Sequence, residues 1–332
     1  MSKKVLIIGG AGFIGMNITA KLATREGYDI TIADNFFRGK MDEDLKDLVD
    51  KYDIKIISED FTKESSFEKL DNDYDYVYML ASVVGVEYTS KIPNELIRIN
   101  TQLIMNTLEW VKNTHCKKVL FTSTSECYAG TIEAFEYEIP TPETVPLCIE
   151  DISHPRFTYA VTKMLGESGF IQYSKVYGFE CTIVRFHNVY GPRMGFKHVI
   201  PQVVQRFRDN ENPFKVYGYD QTRAFNFIAD AVNGTIRAME SEHTNREILH
   251  IGDMNSEITI EKLVHYIGEL LGYDGEYERQ EAHSGSVSRR CPDTSKAEKL
   301  IGYKPVTGWK EGVKITVDWY IDYLKSGKNV FE

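Results

Sequence analysis

KVLIIGGAGFIG, residues 4–15, runs four apolar residues into a cluster of glycines. It satisfies the GxGxxG pattern from Gly10 and GxxGxxG from Gly9. Either match alone is weak. Here the apolar run before it reads as a strand. The stretch after it, FIGMNITAKLATREG, carries apolar residues at helical spacing. In that setting the glycines allow a tight turn and a close approach of backbone to a pyrophosphate. The helix start then offers free N–H groups and the positive end of its dipole. An acidic residue is expected at the end of the next strand, about 20 residues on. Asp34 in TIADN stands there. Its carboxylate can accept from both ribose hydroxyls and repels a 2′-phosphate, which favours NAD over NADP. Arg38 and Lys40 follow closely and weigh the other way.

Further along the chain, DITIAD, IKIISED, YDYVYMLAS, KKVLFTSTS and FECTIVRFHN are strand-like runs, mostly separated by helical stretches such as NELIRINTQLIMNTLEWVKNT. Alternation of this kind with Val/Ile-rich strands predicts a parallel sheet covered on both faces. The fold class is therefore α/β: a Rossmann-type doubly wound parallel sheet with a smaller C-terminal α/β domain. The boundary is expected near residue 190, with 1–190 holding the dinucleotide and 191–332 mainly the substrate, and some exchange of chain between them. Asp60 follows the third predicted strand, and Ala81 and Ser82 the fourth, where such sheets border a dinucleotide. Two polar loops, EAFEYEIPTPETVP (133–146) and RQEAHSGSVSRRCPD (279–293), suit substrate lids or plain surface equally well.

Composition narrows the class. The chain has 332 residues, 42% of them hydrophobic, and a formal net charge of -10. A general nucleic-acid partner is disfavoured, and an anionic substrate would need local basic groups. Five cysteines, none spaced CxxC, argue against a disulfide framework or a zinc cluster and for a reducing compartment. No metal site is expected. The N-terminal apolar run is too short for a signal peptide or a span, so the expectation is a cytoplasmic protein without a membrane partner.

RFTYAVTKMLGE, residues 156–167, places Tyr159 and Lys163 one helical turn apart on one face. A free phenol, with a pKa near 10, is a poor base at neutral pH. A neighbouring ammonium and a positive nicotinamide ring would favour phenolate. TSTSE, residues 122–126, supplies hydroxyls at the end of the preceding strand that could share the proton of a substrate alcohol.

Together GGAGFIG, TSTSECY, YAVTK, RFHNVYGPR, QTRAFNFIADAVNG and RRCPDTSKAEKLIGYKP resemble, in order, the motifs of the extended short-chain dehydrogenase/reductase superfamily, in its nucleotide-sugar epimerase/dehydratase/decarboxylase branch. The resemblance covers nearly the whole chain. It implies that a nucleotide-diphosphate sugar is oxidised at C4 by bound NAD. Thr124 is then implied as the hydroxyl on the reacting oxygen, Tyr159 as the base, and Lys163 as the group on the ribose that lowers the tyrosine pKa. Ser125 and Glu126 join them as catalytic candidates. For the cofactor the resemblance implies Gly9, Gly12, Phe13, Ile14, Gly15, Asp34, Asn35, Arg38, Asp60, Phe61, Leu80, Ala81, Ser82 and Asn100, with Tyr159 and Lys163. For the substrate it implies Val84, Glu126, Asn188, Arg193, Tyr217, Arg223 and Arg290. A homodimer is implied through the helix bearing Tyr159 and the one near residues 94–112, with an apolar stripe that one chain does not bury.

Glu126 bears on the chemistry after oxidation. Relatives with a small or neutral residue there are usually 4-epimerases; dehydratases and uronate decarboxylases usually carry glutamate. A 4-ketone acidifies the C5 hydrogen, and a carboxylate could remove it before water leaves from C6. The first expectation is thus a 4,6-dehydratase of a nucleotide hexose. A uronate decarboxylase, which HPRFTYAVTK also resembles, and a 4-epimerase are the alternatives. A non-catalytic NAD-binding regulatory protein is the alternative from another class. Cys127 stands where the resembling motif has valine and is expected to be a buried small hydrophobe. His187 and His198 are expected to be structural.

Overall fold

The computed structural model describes residues 2–282 and 287–327. Residues 283–286 of the second predicted lid loop lie outside them.

Seven parallel strands form the central sheet in the order β11 (Glu247–Ile251), β6 (Glu180–Phe186), β5 (Lys118–Thr124), β4 (Tyr76–Met79), β1 (Lys3–Ile8), β2 (Tyr28–Asp34) and β3 (Lys55–Ser58). The chain lays down β1 (Lys3–Ile8), α1 (Phe13–Ala23), β2 (Tyr28–Asp34), α2 (Glu43–Tyr52) and β3 (Lys55–Ser58) on one side of β1. It then crosses to β4 (Tyr76–Met79) on the other side. The short α3 (Val86–Lys91) and α4 (Pro93–Val111) lead to β5 (Lys118–Thr124). After α5 (Ala129–Phe135), α6 (Phe157–Tyr177) leads to β6 (Glu180–Phe186). This reversal of direction beside β1 opens a crevice at the carboxyl ends of the strands, where a ligand finds backbone groups unused by the sheet.

Alternation along β1 sorts the core into two layers. Val5 and Ile7 point into one buried cluster and Leu6 and Ile8 into the other, all fully buried. The second layer packs on α4 and α6 through Leu103, Ile104, Leu108 and Phe170. Burial on both faces is why these strands read as continuous apolar runs rather than alternating ones.

Beyond β6 the chain forms β7 (Val189–Tyr190), α7 (Val199–Arg208), β8 (Phe214–Tyr217), β9 (Thr222–Ala224), β10 (Asn226–Phe227) and α8 (Ile228–Glu240). It returns to the sheet as its edge strand β11 (Glu247–Ile251), paired with β6. It then leaves again through β12 (Glu257–Thr259), α9 (Ile260–Leu271), β13 (Tyr277–Gln280), β14 (Arg289–Arg290), α10 (Ser295–Ile301) and α11 (Trp309–Lys325). The portions before and after residue 190 share one core cluster, which reaches from Val5 to Tyr320. Among the described residues no helix is long and apolar enough to cross a membrane.

The first lid loop is packed against its surroundings. Tyr128, Ile132 and Val145 bury a small cluster of their own. Thr141 pairs across to the second loop: its N–H donates to the Cys291 carbonyl at 2.9 Å, and its carbonyl accepts from Asp293 N at 2.8 Å.

Candidate active site

A cavity of about 760 Å³ opens at the carboxyl ends of β1, β2, β4 and β5. Gly9 makes its first turn at φ +89°, and a Cβ there would lie 2.6 Å from the Ala81 nitrogen, so only glycine lets the loop pass the end of β4. The open start of α1 faces the same space. Asp34 ends β2 within it and accepts from Ala11 N at 3.0 Å and Phe36 N at 2.8 Å. Burial raises the Asp34 carboxyl above its ordinary value, and those N–H groups pull the other way. A carboxylate has about four acceptor positions, so capacity remains for a ribose diol. A glycine-rich turn at a helix start, an acidic strand end and a long cleft fit a dinucleotide.

The predicted cofactor residues line this cavity with one exception. Asn100 does not. Buried on α4, it accepts from Val83 N at 2.7 Å and donates to the Val83 carbonyl at 3.0 Å, and so holds the loop after β4 from behind.

At the other end of the cleft stand Thr124, Tyr159 and Lys163. Gly166 sets their spacing. A Cβ at 166 would come within 2.2 Å of the Phe121 ring, so its absence lets α6 lie directly against β5. The buried pair Arg185–Glu167, bonded at 2.8 and 2.7 Å, ties α6 to β6 as well, and Ser123 donates to the same Glu167. Thr124 caps the turn after β5, its hydroxyl accepting from Glu126 N at 3.3 Å. Lys163 donates to the Thr122 carbonyl at 2.8 Å, with its ammonium 5.7 Å from the centre of the Tyr159 ring.

Burial pushes the Tyr159 phenol above its ordinary value, and nearby Glu126 adds to this, whereas Arg38 opposes it. Burial also brings Lys163 down to about 8. At Tyr159 burial outweighs Arg38, the cation that acts against it.

Glu126 and Ser125 lie just past Thr124, outside the cavity lining. Glu126 accepts from Arg290 Nη1 at 2.5 Å and from Arg156 Nη2 at 3.2 Å. Arg290 also donates to Ser125 Oγ at 3.2 Å. Burial would raise the Glu126 carboxyl, but the two guanidiniums outweigh it and hold it at about 2. Arg223, on β9, is lowered to about 10 by burial and by Arg290 beside it. Two arginines thus hold one carboxylate, and Arg223 lies within reach of the same charges.

The remaining substrate candidates divide. Val84, Asn188 and Arg193 line the cavity. Arg193, at φ +68°, donates to Asp42 at 2.8 Å, the Ala11 carbonyl at 3.2 Å and the Lys40 carbonyl at 3.1 Å, so its guanidinium is spent on the cofactor loop. Tyr217 lies on the outer β8–β13 pair, 41% exposed, away from the cavity. His198 lines the cleft, and His187 is fully buried against the Tyr128 hydroxyl at 2.9 Å. Cys127 is fully buried, and burial pushes its thiol up to about 12. Among the described residues no cluster of three or more His, Cys, Asp or Glu could hold a metal ion. Sequence reasoning missed Arg156, although its position three residues before Tyr159 signals the same helix face. It also missed the Arg185–Glu167 pair, which no spacing rule reveals.

Comparison with known proteins agrees with this geometry. Residues 5–252 match the family described as the NAD dependent epimerase/dehydratase family. The chain is 33% identical over 332 residues to the UDP-N-acetyl-alpha-D-glucosaminuronate decarboxylase of Bacillus cytotoxicus, covering 96% of this chain and 98% of that protein. It is 30% identical to UDP-glucuronic acid decarboxylase 1 of Xenopus tropicalis, covering 98% of this chain and 74% of that one. Among solved structures, the UDP-N-acetylglucosamine 4-epimerase of Methanobrevibacter ruminantium superposes with a TM-score of 0.85 at 27% identity, over 97% of this chain and 99% of that one.

Proposed function

The chain belongs to the NAD-dependent epimerase/dehydratase family, and we propose that within it this NAD-dependent nucleotide-sugar enzyme is a decarboxylase of a UDP-linked uronate. The observation that carries the reading is the pairing of Arg156 and Arg290 with Glu126, with Arg223 close enough to feel the same charges. Counted formally, the cluster holds three positive charges, with Glu126 and Glu133 as the carboxylates that act on it. A uronate brings a further carboxylate, beyond the diphosphate that every UDP-sugar carries, to pair with that surplus. The decarboxylase names of the relatives support the same class.

Thr124 holds the C4 oxygen, and Tyr159 takes its proton. The glycine turn and Asp34 would hold NAD, which would supply the hydride acceptor for C4 and a positive charge beside Tyr159. The sugar's carboxylate is then β to a ketone. The C5–C6 bond breaks, carbon dioxide leaves, and the electron pair passes into the C4–C5 enolate. C5 afterwards takes up a proton. No base at C5 is required. This suits Glu126, which at about 2 is a weak base and is occupied by two guanidiniums. The 4,6-dehydratase expectation required the opposite, a free carboxylate at C5, and nothing in the cluster favours it.

The assembly we propose is a homodimer through α4 and α6. Ile97, Val161 and Leu165 are more than a third exposed on those two helices, an apolar patch suited to a second copy.

The test is product mass after incubation with UDP-glucuronate and UDP-N-acetylglucosaminuronate. Loss of carbon dioxide is expected. Loss of water from a UDP-hexose, or inversion without mass change as the sole activity, would overturn the reading.

A further inference from the structure

We infer that the segment from Arg193 to Lys197 is a strap across the cofactor cleft, and that the Glu87–Lys197 ion pair is its releasable clasp, which sets how fast NAD enters and leaves. The inference needs only the NAD site described above and is independent of the decarboxylase reading.

The strap follows β7 and is held on both banks of the cleft. On the β2 side, Arg193 donates to Asp42 at 2.8 Å and to the Lys40 carbonyl at 3.1 Å. It also donates to the Ala11 carbonyl at 3.2 Å, on the glycine turn itself. On the β4 side, Lys197 pairs with Glu87 of α3 at 2.6 Å. Its ammonium lies 5.5 Å from the centre of the Tyr88 ring. Because β1 stands between β2 and β4, a segment held at both sides must cross above the turn after β1. That is where the pyrophosphate of a dinucleotide lies. Arg193 and Gly195 line the cleft from this position. Outside the strap, the Phe37 and Tyr88 rings, 6.1 Å apart, join the same two banks.

The two ends differ in strength. The Arg193 side chain is 7% exposed, and its backbone sits at φ +68°. A residue with a side chain keeps that conformation only where its surroundings hold it. Its partner Asp42 is fixed in turn, capping α2 by accepting from Leu45 N at 3.0 Å. Gly39 packs so closely on Ala11 that a Cβ would lie 2.5 Å from the Ala11 carbonyl. This end is bolted.

At the other end, the Lys197 and Glu87 side chains are 40% and 34% exposed. An ion pair that wet holds weakly and is screened by salt. The Lys197 and Lys91 ammoniums hold Glu87 at about 2, so the clasp stays charged at neutral pH. Neither Glu87 nor Lys197 lines the cleft, so their effect on the cofactor passes through the strap. A segment bolted at one end and lightly clasped at the other opens at the light end.

The experiment loads the full chain with etheno-NAD, a fluorescent analogue, and chases it with excess NAD in a stopped-flow instrument. Direct mixing gives the association rate. Glu87→Gln and Lys197→Gln should each speed release by about 3- to 10-fold, the range of an exposed ion pair with its cation–π contact. Association should rise by a similar factor, so that Kd moves by less than about 2-fold, as a gate requires. The double variant should release no faster than the faster single one, because the two side chains act as one clasp. Salt raised from about 0.05 M to about 0.5 M should bring wild type towards the variants. Circular dichroism confirms the fold of each protein. Wild-type release from both variants overturns the inference. So do additive effects in the double variant. Faster release matched by lost affinity, with association unchanged, also overturns it, because the pair would then strengthen binding and gate nothing.

Discussion

Arg290 Nη1 lies 2.5 Å from Glu126 Oε1, a contact that joins β14 to the end of β5 across 164 positions of sequence. Replacing Glu126 by glutamine removes the charge that restrains both Arg290 and Arg156. Both arginines then turn to the substrate carboxylate. Expected is tighter binding of UDP-glucuronate with carbon dioxide release slowed by about 10-fold or more, because ground-state pairing opposes loss of the carboxylate. Binding and single-turnover measurements decide it. Full turnover with unchanged affinity would show that Glu126 has no part in the reaction.

The same pair has a pH signature. Glu126 is held at about 2, against an ordinary 4.5, so between those values the unfolded chain binds the extra proton. The stabilisation is complete above the ordinary value and is lost as pH falls through the folded value. Urea unfolding from about pH 6 down to about pH 3 should show wild type losing its advantage over Glu126→Gln as acid is added. A constant gap would mean the ion pairs contribute nothing net.

Tyr159→Phe keeps the ring and removes the hydroxyl. Oxidation at C4 should fall by a factor on the order of 10² to 10⁴. NAD binding should persist, since the glycine turn and Asp34 are untouched. The transient absorbance of reduced cofactor on mixing with sugar nucleotide measures the step. Tight NAD, no turnover of any sugar nucleotide by wild type and no effect of this substitution would identify a non-catalytic binding protein instead.

Gly166→Ala drives a methyl into the Phe121 ring. Overpacking of this kind costs about 1–3 kcal/mol, and more where neither partner can move. It also lifts α6 from β5, separating Tyr159 from Thr124. Both Tm and turnover should fall, and Phe121→Leu should restore part of each in the double variant. Wild-type stability in Gly166→Ala would show that the helix and strand have slack.

Val161→Glu with Leu165→Glu places two charges on the exposed face of α6. If that face is the dimer contact, sedimentation at micromolar concentration should show wild-type dimers and variant monomers with intact circular dichroism. A wild-type monomer would remove the assembly.

Much of this site could be read from residue order. The glycine turn, Asp34 and the Tyr159–Lys163 step lie within single strand-turn-helix units, where spacing dictates direction. Asn100 and Tyr217 were each assigned a place by resemblance, and long-range packing sets one behind the Val83 loop and the other on an outer strand pair. Arg193 lines the cleft as expected, but its donors are taken by Asp42, Ala11 and Lys40.

Residue order alone was enough for the parallel sheet and for the glycine turn, Asp34 and the Tyr159–Lys163 step that share its cleft, because periodicity and short-range geometry act within a few residues. The character of Glu126 came from folding. Arg156 reaches it from the start of α6 and Arg290 from a strand near the C-terminus, and a carboxylate's strength as a base depends on the charges that the fold brings to it from elsewhere in the chain.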